Sequence, residues 1–478
     1  MSKILKNQTA SIVTVDDIGI QVPASGQTTI QTTDYLLAAG SSDLVTLIGN
    51  GTLVVNDGST DLSITDGVDL IKGLFPKEIE TFANEMKYDQ QGRFRVSTQH
   101  SLFELGGGEP FDTTRYWSVT TAGSGTTEAA ANSEPARLLK VTTASGDKAQ
   151  IQSFRRVEYN KGHSQLVLMT GAFNAAKANL RQRIGYYCDL HGLFFEHDGT
   201  DLKVVRRESV STGSAVDHAV TQSNWNVDPL DGTGPSGLTL SLNKATVFGF
   251  DFLWLGVKSI RFFVVIGETP ILVHKMNVSN TLTHVYMDSA MAPFRCEIEN
   301  TGTTASASQI KFICSSVKSE GEQQDVGTVR VVDTGASAVS VSNTPSIVAG
   351  IRIKTPNFIN SSIKPLTFKI QPQSGNDSLY YQVIFNPTLT GATWADNSEG
   401  IAQLLTNNPT FSGGSVIDSG FLPLGNKNAD TATLDATVLS DVYLGADCEG
   451  NNTALILVAQ TVSGNGSILF SGKFREYR

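Results

Sequence analysis

Glu196-His197-Asp198-Gly199-Thr200-Asp201 is the stretch in which carboxylates come nearest to a catalytic spacing. Breaking a glycosidic bond takes two carboxylates a short distance apart, one as nucleophile or base and one as acid. On a sheet face the typical arrangement is E-x-D-x-x-E, and here the chain reads E-x-D-x-x-D. The match fails because Asp198-Gly199 has the chemistry of a tight turn. Glu196 and Asp201 then belong to different strands, with Asp198 bent away from both. His191 and His197 lie six residues apart with Asp189 and Asp198 nearby. They read as turn and rim residues on a sheet edge, since a zinc site needs closer, regular His/Cys spacing. Gly106-Gly107-Gly108 is not followed by Lys-Ser/Thr, and no Ser sits in G-x-S-x-G, so neither a phosphate cradle nor a nucleophile elbow is present. No catalytic residue, cofactor site or metal site is assigned, and the chain is expected to be non-enzymatic.

Two further residue classes have binding chemistry. Tyr186, Tyr187, Phe194, Phe195, Trp225 and Trp254 could stack on sugar rings, but on alternating strands half of such rings face a core. Trp225, in the loop-like stretch 222–229, is the one assigned a possible glycan-binding role. The basic residues Lys203, Arg206 and Arg207, and the pair Arg181 and Arg183, are expected on solvated strand faces. A net charge of −10 opposes nucleic-acid phosphates. The four cysteines, 188, 296, 314 and 448, form no CxxC and are too sparse for a disulfide scaffold. They read as free thiols, with one bridge, Cys296 to Cys314, left open.

The elements that must position these residues are almost all strands. Charged residues are only 17% of the 478, and glycine is abundant at 44, a balance suited to short strands joined by tight turns. Residues 1–75 read as a small β domain with Asn50-Gly51, Asp57-Gly58 and Asp66-Gly67 as hairpin turns, Leu44 to Ile48 being one of the strands. Residues 76–92 read as a helical connector: Pro76 suits a first turn, and Ile79, Phe82 and Met86 form one apolar stripe. From 93 to 320, long alternating segments rich in aromatics predict a two-sheet jelly-roll sandwich, with a meander over Leu180 to Arg206. A polar linker follows at 319–326. Residues 327–478 predict a second β-sandwich, with a short helix at Ser398 to Leu405. The fold class is therefore all-β and multi-domain. No apolar stretch approaches a membrane span, and the N-terminus has no signal-peptide pattern.

Two blocks resemble virion structural proteins of tailed bacteriophages, a tail-fibre or particle-associated family. The first is MSKILKNQTASIVTVDDIGIQVPASGQTTI with SSDLVTLIGNGTLVVNDGSTDLSITDGVDLIKG. The second is RQRIGYYCDLHGLFFEHDGTDLKVVRRES with QSNWNVDPLDGTGPSGLTL and FDFLWLGVKSIRFFVVI, similar to the lectin-like middle domain of the same family. The resemblance implies a particle component made in the host cytoplasm, docked through its N-terminal domain on other virion proteins and self-associating, with a trimer favoured. It carries no catalytic residues. With no heptads, collagen repeat or long β-helix, a compact fibre, baseplate, collar or head-decoration protein is expected. Host surface glycan is the further partner expected of an adhesin.

Overall fold

The computed structural model describes residues 3–16, 20–30, 42–56, 60–63, 98–267, 269–321, 326–375, 377–397, 400–424, 432–433, 439 and 442–478. The expected connector helix and the turns at Asp57-Gly58 and Asp66-Gly67 lie outside them. The chain divides into two compact units: Met1–Arg95 with Pro235–Gly237, and Val96–Gly234 with Leu238–Arg478. The described residues are overwhelmingly β, as the composition predicts. Among them no helix is long and apolar enough to cross a membrane.

In the first unit, strands Gln27–Ile30, Lys3–Asn7 and Leu53–Asn56 form an antiparallel sheet in that order, accompanied by the hairpin Val13–Val15/Ile20–Val22. One expectation is corrected here. Ser42–Gly49 is an α-helix, not a strand. Leu44, Leu47 and Ile48 fall at i, i+3 and i+4, a helical stripe, and they pack with Leu5, Val15 and Val55. Asn50-Gly51 closes that helix rather than a hairpin: the amide of Gly51 donates to the carbonyl of Ile48, and its φ is 77°.

The second unit holds two β-sandwiches. In the central one, a seven-stranded sheet runs in the order Val216–Thr221, Leu202–Glu208, Gly192–His197, Leu180–Tyr187, Phe294–Asn300, Lys148–Ser153, Trp117–Ala122. An eight-stranded sheet faces it, with Gln165–Ala172 paired between Thr246–Phe252 and Ser308–Glu320. Strict alternation decides what lies between them. Leu193 and Phe195 point inward from one sheet and Phe248, Phe250 and Phe262 from the other. Phe195 meets Phe248 at 5.0 Å and Phe250 at 5.5 Å between ring centroids. Burying such rings supplies most of the core's stabilisation.

The C-terminal sandwich places the sheet built on Asn465–Tyr477 and Ser362–Ser374 against a six-stranded sheet centred on Ala454–Thr461 and Ser378–Phe385. Ile370, Val383, Leu457 and Phe474 belong to its core. The helix expected at Ser398 to Leu405 begins outside the described residues, and its later part is instead a strand, Ala402–Leu405, paired with Ser346–Ile353. Sheet pairing and the burial of Ala402 override the weak local helix preference.

Candidate functional site

The charged residues of the meander converge on the outward face of the seven-stranded sheet. Register makes Arg183 a direct neighbour of Glu196 on one side and of Glu297 on the other. The guanidinium donates to Glu196 (Nε to Oε2, 2.5 Å) and reaches Glu297 (Nη1 to Oε1, 3.4 Å). Glu297 also takes Arg295 at 2.8 Å, Lys148 at 3.3 Å and Arg181 at 3.7 Å. Burial opposes the charge of Glu297, but Arg295, Lys148, Arg183 and Arg181 overcome it and hold its carboxyl at about 2. Farther out, Arg207 makes a two-pronged pair with Asp217 at 2.7 and 2.8 Å.

Two rings sit within this charge. Tyr187 and Phe194 meet at 4.4 Å with their rings tilted by 35°, and both are fully buried although they point away from the main core. The guanidinium groups of Arg183 and Arg207 lie over Phe194 at 5.2 and 5.1 Å, and that of Arg295 lies over Tyr187 at 5.2 Å. Glycine makes room for this layer. A Cβ on Gly185 would stand 2.4 Å from the Cβ of Phe194, and Gly192 adopts φ 135° directly beside Tyr187.

These positions correct the expected solvated strand faces. Arg183, Arg206 and Arg207 are all buried, and Arg206 donates to the carbonyl of Tyr286 at 2.6 Å. The turn at Asp198-Gly199 is where the sequence places it. Asp198 accepts the amides of Thr200 and Asp201 and pairs with Lys203, so Glu196 stands on strand Gly192–His197 while Asp201 ends the turn, just before strand Leu202–Glu208. Trp225 is a second correction. It is 6% exposed, its indole donates to the carbonyl of Val220 at 3.2 Å, and its ring meets Phe195 edge-on. It therefore belongs to the core and presents no face to a sugar. Apolar burial outweighs the polar, loop-like neighbourhood that suggested exposure.

The second cluster lies where the two sandwiches of this unit meet. Residues 154–159, after strand Lys148–Ser153, carry Arg155, Arg156 and Glu158 into the junction. Arg155 stacks between Tyr443 (3.6 Å) and Phe103 (4.8 Å) and pairs with Glu158 at 2.9 Å, while Ser362 donates to Glu158 at 2.7 Å. Ser118 donates to Asp447 at 3.0 Å, and Arg115 to Ser415 at 2.6 Å. A cavity of about 220 Å³ lies beside Arg155 and Tyr443. An open groove of about 980 Å³ adjoins it, with Glu104, Glu109 and Asp112 along its wall.

His191 is not at a rim. It is fully buried, its Nδ1 lies 3.3 Å from the sulfur of Cys188, and its Nε2 lies 3.3 Å from the carbonyl of Met291. His197 is buried too, its Nδ1 accepting the amide of Gly199. Among the described residues no three His, Cys, Asp or Glu side chains form a metal-holding group. All four cysteines are free. Cys296 faces the core and Cys314 is exposed, so the bridge left open between them is not formed.

Glu297, Arg295 and the 154–159 segment escaped the sequence reading. The first two had a legible signal, because R-x-E-x-E at 295–299 alternates with Phe294, Cys296 and Ile298. The junction had none, since its partners lie some 290 residues apart, as Arg156 and Cys448 do (|i−j| = 292).

No family model matches the chain, and no curated protein matches it. Solved structures do. A Bacillus licheniformis β-glucanase is 11% identical, spans 47% of this chain and 98% of its own, and has a TM-score of 0.31. A protein of unknown function from Shewanella oneidensis MR-1 is 11% identical over 49% of this chain and 92% of its own, with a TM-score of 0.31. A legume lectin-like domain from Entamoeba histolytica is 11% identical over 45% of this chain and 95% of its own, with a TM-score of 0.27.

Proposed function

We propose that this chain is a non-enzymatic structural component of a tailed-phage particle, working through protein–protein assembly as a compact fibre, baseplate, collar or decoration protein. One observation carries the non-enzymatic part. The carboxylates gathered on the sheet face are already committed to arginine and lysine. A general acid must hold a proton near neutral pH, usually through an apolar pocket that raises its pKa. Glu297 is driven the other way by its four cations, and Glu196 is engaged by Arg183. The buried junction joining the two sandwiches suits a rigid building block better than a hinged enzyme. The sequence resemblance supplies the virion context, other virion proteins as partners, and self-association.

Immunogold labelling of purified particles tests this reading. Gold on the tail, neck or head is the expected result, and its absence from every particle overturns the virion role. The enzymatic alternative is tested by reducing-sugar release from host polysaccharide. Release that Glu196→Gln abolishes would reverse the assignment.

A second reading, a glycan-binding adhesin, keeps one observation in its favour. On the C-terminal sandwich Phe421 is 67% exposed and stacks with Tyr380 at 4.9 Å. An exposed ring of this kind, set against a half-buried one, can receive the apolar face of a sugar ring. A glycan array probed with wild type and Phe421→Ala decides it: binding lost in the variant supports an adhesin, and no bound glycan removes the reading.

A further inference from the structure

Arg156 is fully buried at the junction of the two sandwiches, and its Nε and Nη1 have no hydrogen-bond partner. Burying a guanidinium is costly unless an anion faces it. The acidic groups that face this one are thiols. Its Nη2 lies 3.7 Å from the sulfur of Cys448 on the C-terminal sandwich, and Cys188, just past strand Leu180–Tyr187, is its other thiol neighbour. The two thiols are also neighbours of each other, and the Nδ1 of His191 lies 3.3 Å from the Cys188 sulfur.

We propose that Cys188 and Cys448 are a peroxide-sensitive dithiol that closes into a disulfide, clamping the C-terminal sandwich onto the central one. Two features make Cys188 the first to react. Burial alone would push its thiol up. The hydrogen bond from Cys448 and the charges of His191 and Arg156 reverse that and bring it well below the ordinary cysteine range. Burial together with Cys188 pushes Cys448 the other way, leaving it protonated. Cys448 is half-buried, which gives a molecule as small as hydrogen peroxide a way in. The guanidinium in the same space disfavours a metal cation there, so oxidation fits the site better than metal binding.

The chemistry balances with hydrogen peroxide as oxidant. The Cys188 thiolate attacks one peroxide oxygen, the O–O bond breaks, and Cys188 becomes a sulfenic acid. The departing hydroxide takes a proton from the His191 imidazolium and leaves as water. Cys448 then attacks the Cys188 sulfur: the S–S bond forms as the S–O bond breaks, and the departing hydroxide takes the Cys448 proton and leaves as the second water. Two thiol sulfurs are oxidised by two electrons in total, and one peroxide is reduced to two waters.

The test uses the full chain carrying Cys314→Ser, which removes the exposed thiol. After brief peroxide treatment the free-thiol titre falls by two, and peptide mapping finds one cross-link, 188 to 448, reversed by dithiothreitol. Adding Cys448→Ser leaves Cys188 as a sulfenic acid trapped by dimedone, and Arg156→Met slows oxidation on the order of tenfold by removing the cation that holds the thiolate. The proposal is overturned if Cys188 and Cys448 stay reduced at a peroxide dose that consumes Cys314 in the wild type. It is equally overturned if both are oxidised without a cross-link between them.

Discussion

Two sheet faces in the second unit make opposite use of the same alternation. The outward face of the central seven-stranded sheet is written in charged residues, yet Arg183, Glu196, Arg295 and Glu297 are all buried there. The outward face of the strand pair Ser378–Phe385/Ser415–Pro423 in the C-terminal sandwich carries Phe421 and Val416, both well exposed. Long charged side chains cover one another and the rings beneath them, so guanidinium groups form a lid over Phe194 and Tyr187. Phe421 meets the Tyr380 ring at 4.9 Å and still stands 67% exposed. Polarity and exposure are thus set by neighbouring side-chain length and pairing as much as by the residue itself.

The largest break in that comparison comes from Glu297. Glu297→Ala leaves four cations facing an empty site, and urea unfolding should show a loss of about 3–5 kcal/mol. Trp225→Ala should lose about 3 kcal/mol in the same assay, as a core truncation does, while leaving any glycan binding unchanged. A loss of less than about 1 kcal/mol for Trp225→Ala would mean that its site collapses without cost.

Acid separates the two faces further. Glu297 titrates at about 2 in the folded chain against 4.5 when unfolded, so the unfolded state binds more protons between those values. Its stabilising contribution is complete above about pH 4.5 and is lost as pH falls through 2. His274 acts at higher pH. Burial holds it at about 4 rather than 6.5, and its Nδ1 accepts the amide of Asn226. The unfolded chain again binds the extra proton, so stability begins to fall below pH 6.5. His274→Gln should move that onset down toward 4.5 in unfolding curves recorded across pH. An onset unmoved by the substitution would assign the decline to another group. The smallest effect belongs to the exposed face: Phe421→Ala should change stability by no more than about 0.5 kcal/mol, so any effect on particle assembly or adsorption would report a contact rather than a fold.

The strand plan was legible wherever alternation and turn chemistry agreed. The meander from Leu180 to Arg206 is present as strands Leu180–Tyr187, Gly192–His197 and Leu202–Glu208, where its pattern puts it. Leu44 to Ile48 was misread because a short apolar run fits either period, and only its packing against Leu5 and Val55 decides for a helix. The site was much less legible. An alternating arginine looks the same in sequence whether it meets water or a cross-strand glutamate, and only register tells Arg183 that Glu196 and Glu297 are its neighbours. Trp225 shows the converse, an aromatic in polar company whose ring reaches back to Phe195.

The junction at residues 154–159 has a thermodynamic consequence. A Cβ on Gly445 would meet the carbonyl oxygen of Phe154 at 2.1 Å, so the two backbones touch with no side chain between them. Glu158 closes its bonds with one partner from each sandwich, Arg155 and Ser362. Neither sandwich can melt without stripping the other of a partner for a buried charge. Calorimetry of the second unit should therefore record one heat-absorption peak, with calorimetric and van't Hoff enthalpies in agreement, although its length and two cores would suggest two.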